Sequence, residues 1–368
     1  MENTIDIVQM DGTRFHVITD SNSNIYNIKI LIEENHGIGY NIIQLYKINE
    51  ENSLTDEILI KSLDVNELFM LLHISQSPKD TLNLFNTCVS CIALSADGNW
   101  IVSGSWDNHI CIWNTKTNIC TKKLRSRSGV ITDIAISANG DWIISCNLEH
   151  TFCVWDAGWG VCHMIVHGHT DDIYSVDISE NAKLIASGSA DKTIRIWDKN
   201  TYECTAILFG HTASIITISM TPCGKFIVSG SEDTTVRVWN ILTQECLVIF
   251  EEHTNTINSV DISNNGEKIV SSSWDRSARI WDVLSKTCIA IITDHVDWVN
   301  SVSISTDGLT VASCGMDNTV RIFDASNGGC TAILEGHTDN VNDVVVSSDT
   351  KYIVSCSSDS TIKIWDSL

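Results

Sequence analysis

An aromatic residue recurs along most of the chain at a constant spacing of 42 residues. The series is Trp113, Trp155, Trp197, Trp239, Trp281, Phe323 and Trp365. A serine stands ten residues before each member and an acidic residue stands six before it. A fixed register of this kind indicates an array of equal structural units, because each unit of a repeat protein packs mainly on its neighbours.

Each unit contains four short runs of residues that are typical of β-strands. In the unit around Trp197, these runs lie at residues 173–178, 184–185, 194–196 and 204–209. Several units separate the first two runs with a turn dipeptide, as at Asp97-Gly98 and Asn139-Gly140. One four-stranded unit cannot bury both of its faces alone, so the units must pack against each other.

Two dipeptides of this unit, Gly168-His169 and Trp197-Asp198, resemble the signature of the WD-repeat family, over about residues 79–368. The resemblance implies a seven-bladed β-propeller in which Asp, His, Ser and Trp form one hydrogen-bonded tetrad per blade. The complete tetrads are His169, Ser187, Asp191 and Trp197; His211, Ser229, Asp233 and Trp239; His253, Ser271, Asp275 and Trp281; and His337, Ser355, Asp359 and Trp365. Phe323 replaces one tryptophan, and Phe85 and Arg127 stand at two histidine positions.

The last aromatic of the series lies too close to the end of the repeats for its unit to have an outer strand of its own. Seven repeats earlier, the equivalent position falls at residues 79–84, where Leu82 matches Leu124 and Leu208 in the register. We therefore predict that residues 79–84 close blade seven, since closure removes two exposed sheet edges. The propeller is predicted to span residues 79–368, after a linker at 73–78 that contains Pro78.

Residues 1–72 do not repeat, and they predict a small α+β domain. Alternating residues on both sides of Asp11-Gly12 indicate a hairpin, and a helix, a strand at 42–46 and a last strand at 67–72 follow. The segments 24–38 and 54–56 resemble the helix and the Leu-Ser-Asp turn of ubiquitin, which implies a β-grasp fold. A ubiquitin-like binding patch would fall on Leu45, Phe69 and Leu71, although Leu45 and Phe69 could equally complete the core. No Gly-Gly tail follows Leu72, which argues against conjugation.

Composition limits the partners and the compartment. The formal net charge of −23 disfavours nucleic acid as a partner. Neither a long apolar run nor a basic, apolar leader is present, so we expect an intracellular protein, cytoplasmic or nuclear, with no membrane association. Six of the fourteen cysteines also repeat every 42 residues, which predicts free, buried thiols rather than disulfides.

The repeated polar residues do not indicate catalysis. Histidine, serine and aspartate recur in blade after blade, as a scaffold requires, whereas catalysis needs one site. We find no phosphate-binding loop and no cluster of metal ligands in the sequence. The sequence therefore predicts a protein that is not an enzyme and that needs no cofactor and no metal.

Binding loops are implied at one mouth of the ring, next to the tetrad acid and after the histidine position. The mouth residues that we predict to bind a partner are Trp106, Leu148, Asp172, Tyr174, Ile216, Glu232, Trp274, Trp298 and Met316. Large apolar side chains in loops are typical of interaction surfaces, and the acids favour a peptide that carries a basic residue. The alternative is that some of these rings pack under neighbouring loops.

These features predict a non-catalytic scaffold or adaptor that binds protein or peptide segments, as a monomeric propeller within a larger complex. The alternative is a substrate-recruiting component of a ubiquitin ligase or of a ubiquitin-linked pathway. Propellers that dock on cullin-type ligases often carry Trp-Asp-any-Arg, and Trp197-Asp-Lys-Asn and the other repeats here lack that arginine.

Overall fold

The computed structural model describes residues 2–8, 14–20, 43–44, 73–83, 87–126 and 129–366. Their regular structure is β-strand. The strands are β1 (Glu2–Val8), β2 (Arg14–Asp20), β3 (Ile43–Gln44), β4 (His73–Gln76), β5 (Asp80–Asn83), β6 (Val89–Leu94), β7 (Trp100–Ser105), β8 (His109–Asn114), β9 (Ile119–Arg125), β10 (Ile131–Ile136), β11 (Trp142–Asn147), β12 (Thr151–Asp156), β13 (Val161–His167), β14 (Ile173–Ile178), β15 (Leu184–Ser189), β16 (Ile194–Asp198), β17 (Cys204–Leu208), β18 (Ile215–Met220), β19 (Phe226–Ser231), β20 (Val236–Asn240), β21 (Glu245–Phe250), β22 (Ile257–Ile262), β23 (Lys268–Ser273), β24 (Ala278–Asp282), β25 (Thr287–Ile292), β26 (Val299–Ile304), β27 (Thr310–Gly315), β28 (Val320–Asp324), β29 (Cys330–Leu334), β30 (Val341–Val346), β31 (Tyr352–Ser357) and β32 (Thr361–Asp366).

The chain divides into two compact units, one of residues 1–77 with 329–335 and one of residues 78–328 with 336–368. In the first unit, β1 and β2 form an antiparallel hairpin. Strand β4 pairs antiparallel with β3 and parallel with β29. Most of the segment that the sequence analysis assigned to a linker at 73–78 is therefore strand. Its backbone N–H and C=O groups form hydrogen bonds with the backbone groups of β3 and β29.

The remaining predictions for residues 1–72 fall outside the described residues. This applies to the helix, to the last strand at 67–72 and to the patch of Leu45, Phe69 and Leu71. The β-grasp domain and its binding patch remain predictions. Among the residues that the structure does describe, no helix has the length and apolar character needed to cross a bilayer.

The second unit consists of seven antiparallel sheets. They are β6-β7-β8-β9, β10-β11-β12-β13, β14-β15-β16-β17, β18-β19-β20-β21, β22-β23-β24-β25, β26-β27-β28 and β30-β31-β32-β5. The first strand of each sheet contacts the first strands of the sheets on both sides, and β30 contacts β6, so the series closes into a ring. This arrangement confirms the seven-bladed β-propeller, and we number the blades in this order.

The seventh blade contains strands from both ends of the unit. Strand β5 pairs antiparallel with β32, with Leu82 opposite Ile362. Leu82 is buried among core residues that include Val89 and Ile362. The backbone nitrogen of Lys79 donates to the carbonyl oxygen of Ile364 over 2.8 Å, and its Nζ lies 2.5 Å from Oδ1 of Asp366. The ring is thus closed by hydrogen bonds and by apolar burial together.

Adjacent blades approach closely through glycines of their second strands. A Cβ atom at Gly104 would lie 2.5 Å from Cγ2 of Ile131, and one at Gly230 would lie 2.4 Å from Cγ2 of Ile257. Real side chains do not approach that closely, so these positions require glycine for packing between blades. They form no phosphate-binding loop.

The complete tetrads brace the loops of their blades. In blade three, Nε1 of Trp197 donates to Oγ of Ser187 over 2.9 Å, and that oxygen lies 2.7 Å from Nε2 of His169. The other ring nitrogen, Nδ1, lies 2.7 Å from Oδ2 of Asp191. Burial opposes ionisation of Asp191, but the hydrogen bonds from His169 and Thr193 outweigh it and hold the pKa of this carboxyl well below its usual range.

Of the tetrads that are incomplete in sequence, that of blade six is also incomplete in its hydrogen bonds. In blade six, Ser313 Oγ lies 2.7 Å from Nε2 of His295, and Phe323 is fully buried but provides no donor. In blades one and two, the tryptophan still donates to its serine, as Trp113 does to Ser103 over 3.0 Å. Phe85 and Arg127 lie outside the described residues.

No disulfide joins any of the fourteen cysteines, all of which lie in the described part of the chain, but the prediction that the repeated ones are buried was wrong for most of them. Of the six, Cys330 is buried, whereas Cys162 and Cys204 are exposed. Cys204 lies in the outermost strand of its blade, and one face of that strand points to solvent. It pairs with Trp197 at a point where the register between the two strands shifts. Its Sγ lies 3.3 Å from the carbonyl oxygen of Ala206.

Candidate functional site at the mouth of the propeller

A cavity of about 580 Å³ opens at one end of the central channel. Of the predicted mouth residues, Trp106, Leu148, Tyr174 and Ile216 line it. Trp106 is 61% exposed and Leu148 is 47% exposed. The four side chains come from blades one to four, so the large apolar residues of the lining are grouped on one side of the cavity.

The opposite side of the cavity is polar, because one repeat position is used there to link blades. At this position, Asn300 Nδ2 donates to the carbonyl oxygen of Val341 over 2.9 Å, and Asn342 Nδ2 donates to that of Val89 over 2.8 Å. The same position holds Tyr174 in blade three and Ile216 in blade four. Isoleucine has no side-chain donor, so this position cannot make the interblade bond in blade four and instead lines the cavity. This change could be seen in the sequence, because a side chain with a hydrogen-bond donor recurs at this repeat position and isoleucine interrupts the series.

Acidic side chains lie within electrostatic range of the tyrosine of the lining. Burial, together with the negative charges of Asp172 and Glu232, raises the pKa of Tyr174. The Glu232 side chain is exposed, and Oδ1 of Asp172 lies 3.2 Å from Nδ1 of His150. This part of the mouth therefore presents negative charge beside an aromatic ring, as the sequence analysis expected of a surface for a basic residue.

Three other mouth residues form a separate cluster outside the cavity. The rings of Trp274 and Trp298 stack with centroids 4.9 Å apart, and Trp298 remains 36% exposed. The backbone nitrogen of Met316 donates to the carbonyl oxygen of Trp298 over 3.0 Å. These two indoles cover part of each other's faces, so the alternative that some rings pack against neighbouring loops describes them in part.

One group of possible metal ligands was missed by the sequence analysis. His150, Asp171 and Asp172 each place a ligand atom within 4.8 Å of the other two. His150 belongs to blade two and the aspartates precede blade three, so no sequence spacing reveals the group. His150 and Asp171 are exposed, and Asp172 already pairs with His150. The expectation that the protein needs no metal stays a prediction, since exposed acids commonly gather without one.

A ring of polar residues lies between the mouth cavity and a second cavity of about 360 Å³. The residues that line both cavities, which we name the polar ring, are Asp133, Ser175, Thr217, Ser259, Ser301 and Asp343. They link neighbouring blades. Oδ2 of Asp133 accepts from the backbone nitrogen of Val176 over 2.9 Å, and Oδ2 of Asp343 accepts from that of Ile92 over 2.9 Å.

Four carboxyl groups line the channel, two in the polar ring and two, Asp177 and Asp261, in the second cavity. Burial raises the pKa of Asp133 to about 6 and those of Asp177 and Asp343 to about 7, and it also raises the pKa of Asp261. Hydrogen bonds from backbone nitrogens oppose this effect but do not cancel it. The channel therefore holds carboxyl groups that titrate near neutral pH.

The raised pKa of Asp177 predicts a pH-dependent stability difference between wild type and Asp177→Asn. An aspartate whose folded pKa lies above its unfolded value stabilises the fold at low pH, and this contribution is lost as the pH rises to about 7. Relative to wild type, the variant should gain up to about 1.4 kcal/mol per pH unit between about pH 5 and pH 7, and little above that. Urea unfolding across this range measures the slope.

The slope is the readout because the asparagine amide also changes hydrogen bonds with Met220 and Ile178 by an amount that does not depend on pH. Glu203→Gln replaces a carboxyl group by an amide at an exposed position just before β17 and serves as the control. A stability difference between Asp177→Asn and wild type that stays constant with pH contradicts the prediction.

The chain belongs to the WD-repeat family. The family model described as "WD domain, G-beta repeat" matches residues 77–114, 118–156, 160–198, 202–240, 244–282, 286–324 and 328–366. A search of curated proteins found no match. Propellers of this family generally serve as protein–protein interaction scaffolds that bind proteins or peptides, and they are typically non-catalytic.

Proposed function

We propose that this protein is a non-catalytic scaffold or adaptor that holds a peptide segment of a partner protein over the mouth of the propeller. The observation that carries the proposal is the grouping of Trp106, Leu148, Tyr174 and Ile216 in the lining of one open cavity. An indole that is 61% exposed at the rim of a cavity contributes little to the core, whereas tryptophan is favoured at interaction hot spots.

The charge of the same surface selects the partner segment. The charges of Asp172 and Glu232 act on Tyr174, and the chain carries a formal net charge of −23. A peptide with a lysine or arginine gains Coulomb attraction there and can place its cation over the aromatic face. Nucleic acid would be repelled by the same charges.

Affinity purification with the full chain tests the mouth. Trp106→Ala should release at least one partner that the wild-type chain retains, because truncation of a central aromatic anchor typically costs about 2 kcal/mol or more. Trp159→Ala is the matched control, since Trp159 is 83% exposed in an outer turn of blade two. Circular dichroism of both variants checks that the fold is intact. A Trp106→Ala chain that retains every partner would show that this surface is not the binding site.

Trp274→Ala and Trp298→Ala decide whether the stacked indoles belong to the same site. If partners bind across the whole mouth, both variants lose the partner that Trp106→Ala loses. If partners use the cavity alone, both retain it. The ligase alternative depends on the resemblance of residues 1–72 to ubiquitin, and ubiquitin-ligase subunits among the purified partners would favour it over a general adaptor.

A further inference from the structure

The channel beneath the mouth holds carboxyl groups without a matching cation. Asp133 and Asp343 belong to the polar ring, and Asp177 and Asp261 follow in the second cavity. Within the described ranges 87–126 and 129–366, which contain both cavities, no lining residue is a lysine, an arginine or a histidine. A carboxylate with restricted access to water gains from a nearby positive charge, so the channel is electrostatically complementary to a cation.

The two carboxyl groups of the polar ring retain the capacity to accept another hydrogen bond. Asp343 accepts from the backbone nitrogens of Ile92 and Val344 and from Oγ of Ser301, at 2.9, 2.9 and 2.7 Å. A carboxylate has about four acceptor positions, so one remains for a donor that enters the channel. Asp133 is held in the same way, by Val176, Ile134 and Ser175. These bonds fix the carboxylates in place before any ligand arrives.

The lining changes from apolar to acidic along the channel. Trp106, Leu148 and Ile216 line the mouth cavity, and the polar ring separates that cavity from the second one. Lysine and arginine have the corresponding order of chemistry, with an apolar stem and a charged head. A cavity of about 580 Å³ is large enough to admit a side chain together with part of a peptide backbone.

We propose that the channel binds one lysine or arginine side chain of the partner peptide, with its stem against Trp106, Leu148 and Ile216 and its charged head at Asp133 and Asp343. The inference rests on the proposed function, because it assumes that a peptide lies across the mouth. Beyond that function, it specifies which type of peptide residue enters the channel and which groups of the protein bind it.

Binding of such a head group is coupled to proton release. Burial raises the pKa of Asp343 to about 7, so this group is partly protonated near neutral pH and must ionise to pair with a cation. The titratable groups around it are Asp133 and the thiols of Cys91, Cys314 and Cys356. Burial raises the pKa of all three thiols, so they stay neutral at this pH.

The first test uses the full chain and two capped tripeptides, acetyl-Ala-Lys-Ala-amide and its norleucine counterpart. Norleucine keeps the apolar stem and removes the charge. Calorimetric titration should show that the lysine tripeptide binds about tenfold more tightly at about pH 8 than at pH 6, as a group with a pKa of about 7 requires. The norleucine tripeptide should bind more weakly, and its affinity should not change with pH. Equal affinities for the two tripeptides, or no saturable binding of the lysine tripeptide, overturn the proposal.

Variants separate this inference from the proposed function. Asp343→Asn should weaken the lysine tripeptide and remove most of the pH dependence, whereas Glu203→Gln should change neither. If Asp343→Asn keeps wild-type affinity and pH dependence while Trp106→Ala loses the partner protein, the mouth binds the partner and the channel inference fails. If n-butylammonium alone binds as tightly as the lysine tripeptide, the assignment to a peptide side chain fails. Should Asp343→Asn not fold, the comparison of lysine with norleucine on the wild-type chain still decides.

Discussion

Deletion of residues 79–86 should lower the melting temperature by more than about 10 °C, whereas deletion of residues 1–72 should lower it far less. The short deletion removes β5 and the buried Leu82, and it leaves β32 as an open edge of the seventh blade. The long deletion leaves every strand of the second unit in place. Differential scanning calorimetry of the two truncated chains beside the full chain measures the difference.

A point variant tests the same strand without changing how the chain is connected. Leu82→Ala keeps the backbone of β5 but empties a buried side-chain site, which typically costs about 2–5 kcal/mol. Thr81→Ala, at an exposed position of the same strand, is its control. Equal melting temperatures for the two truncations would mean that β5 does not hold the ring closed.

Ser271→Ala should destabilise the protein by about 2–6 kcal/mol, and by more than Ser313→Ala does. Oγ of Ser271 bonds to two buried groups, Nε1 of Trp281 and Nε2 of His253, both at 2.8 Å. The substitution leaves both without a partner, and each orphaned buried group costs about 1–3 kcal/mol. Ser313 bonds to His295 alone, because Phe323 stands in the place of the tryptophan.

Blade six therefore supplies the matched control for blade five. The two serine-to-alanine substitutions lie at the same repeat position, and both serines are completely buried. The two sites differ in that one contains an indole N–H group and the other does not. The expected difference in the free energy of unfolding is about 1–3 kcal/mol, measured by urea denaturation of both variants. Indistinguishable losses would show that the indole bond contributes little to stability.

The repeat register predicted the fold because it records contacts that are the same in every blade. The constant step of 42 residues indicated equal units, and the resemblance to the WD-repeat family implied the network that joins Ser187 and Trp197. Seven such units make the seven-bladed propeller. The ubiquitin-like domain stays a prediction, since most of residues 1–72 lie outside the described part of the chain.

The sequence analysis missed features that depend on departures from the repeat. Asp133 and Asp343 occupy a repeat position that holds serine in blades three, five and six. The change from serine to aspartate is visible in the sequence, but only the structure shows that this position lines the channel. The stacking of Trp274 on Trp298 joins loops of two blades and has no fixed spacing. Likewise, the exposure of Cys204 depends on which face of an outer strand meets solvent. Contacts between blades at non-equivalent positions cannot be read from periodicity.

The pairing of β5 with β32 has a consequence for synthesis of the protein. Asn83 pairs with Thr361, which the ribosome adds 361 − 83 = 278 residues later. The early strand must therefore wait, without its neighbour, while the intervening blades emerge and form. A nascent chain that terminates before β32 exposes two unsatisfied strand borders at once, which makes prematurely stopped products substrates for chaperones and aggregation.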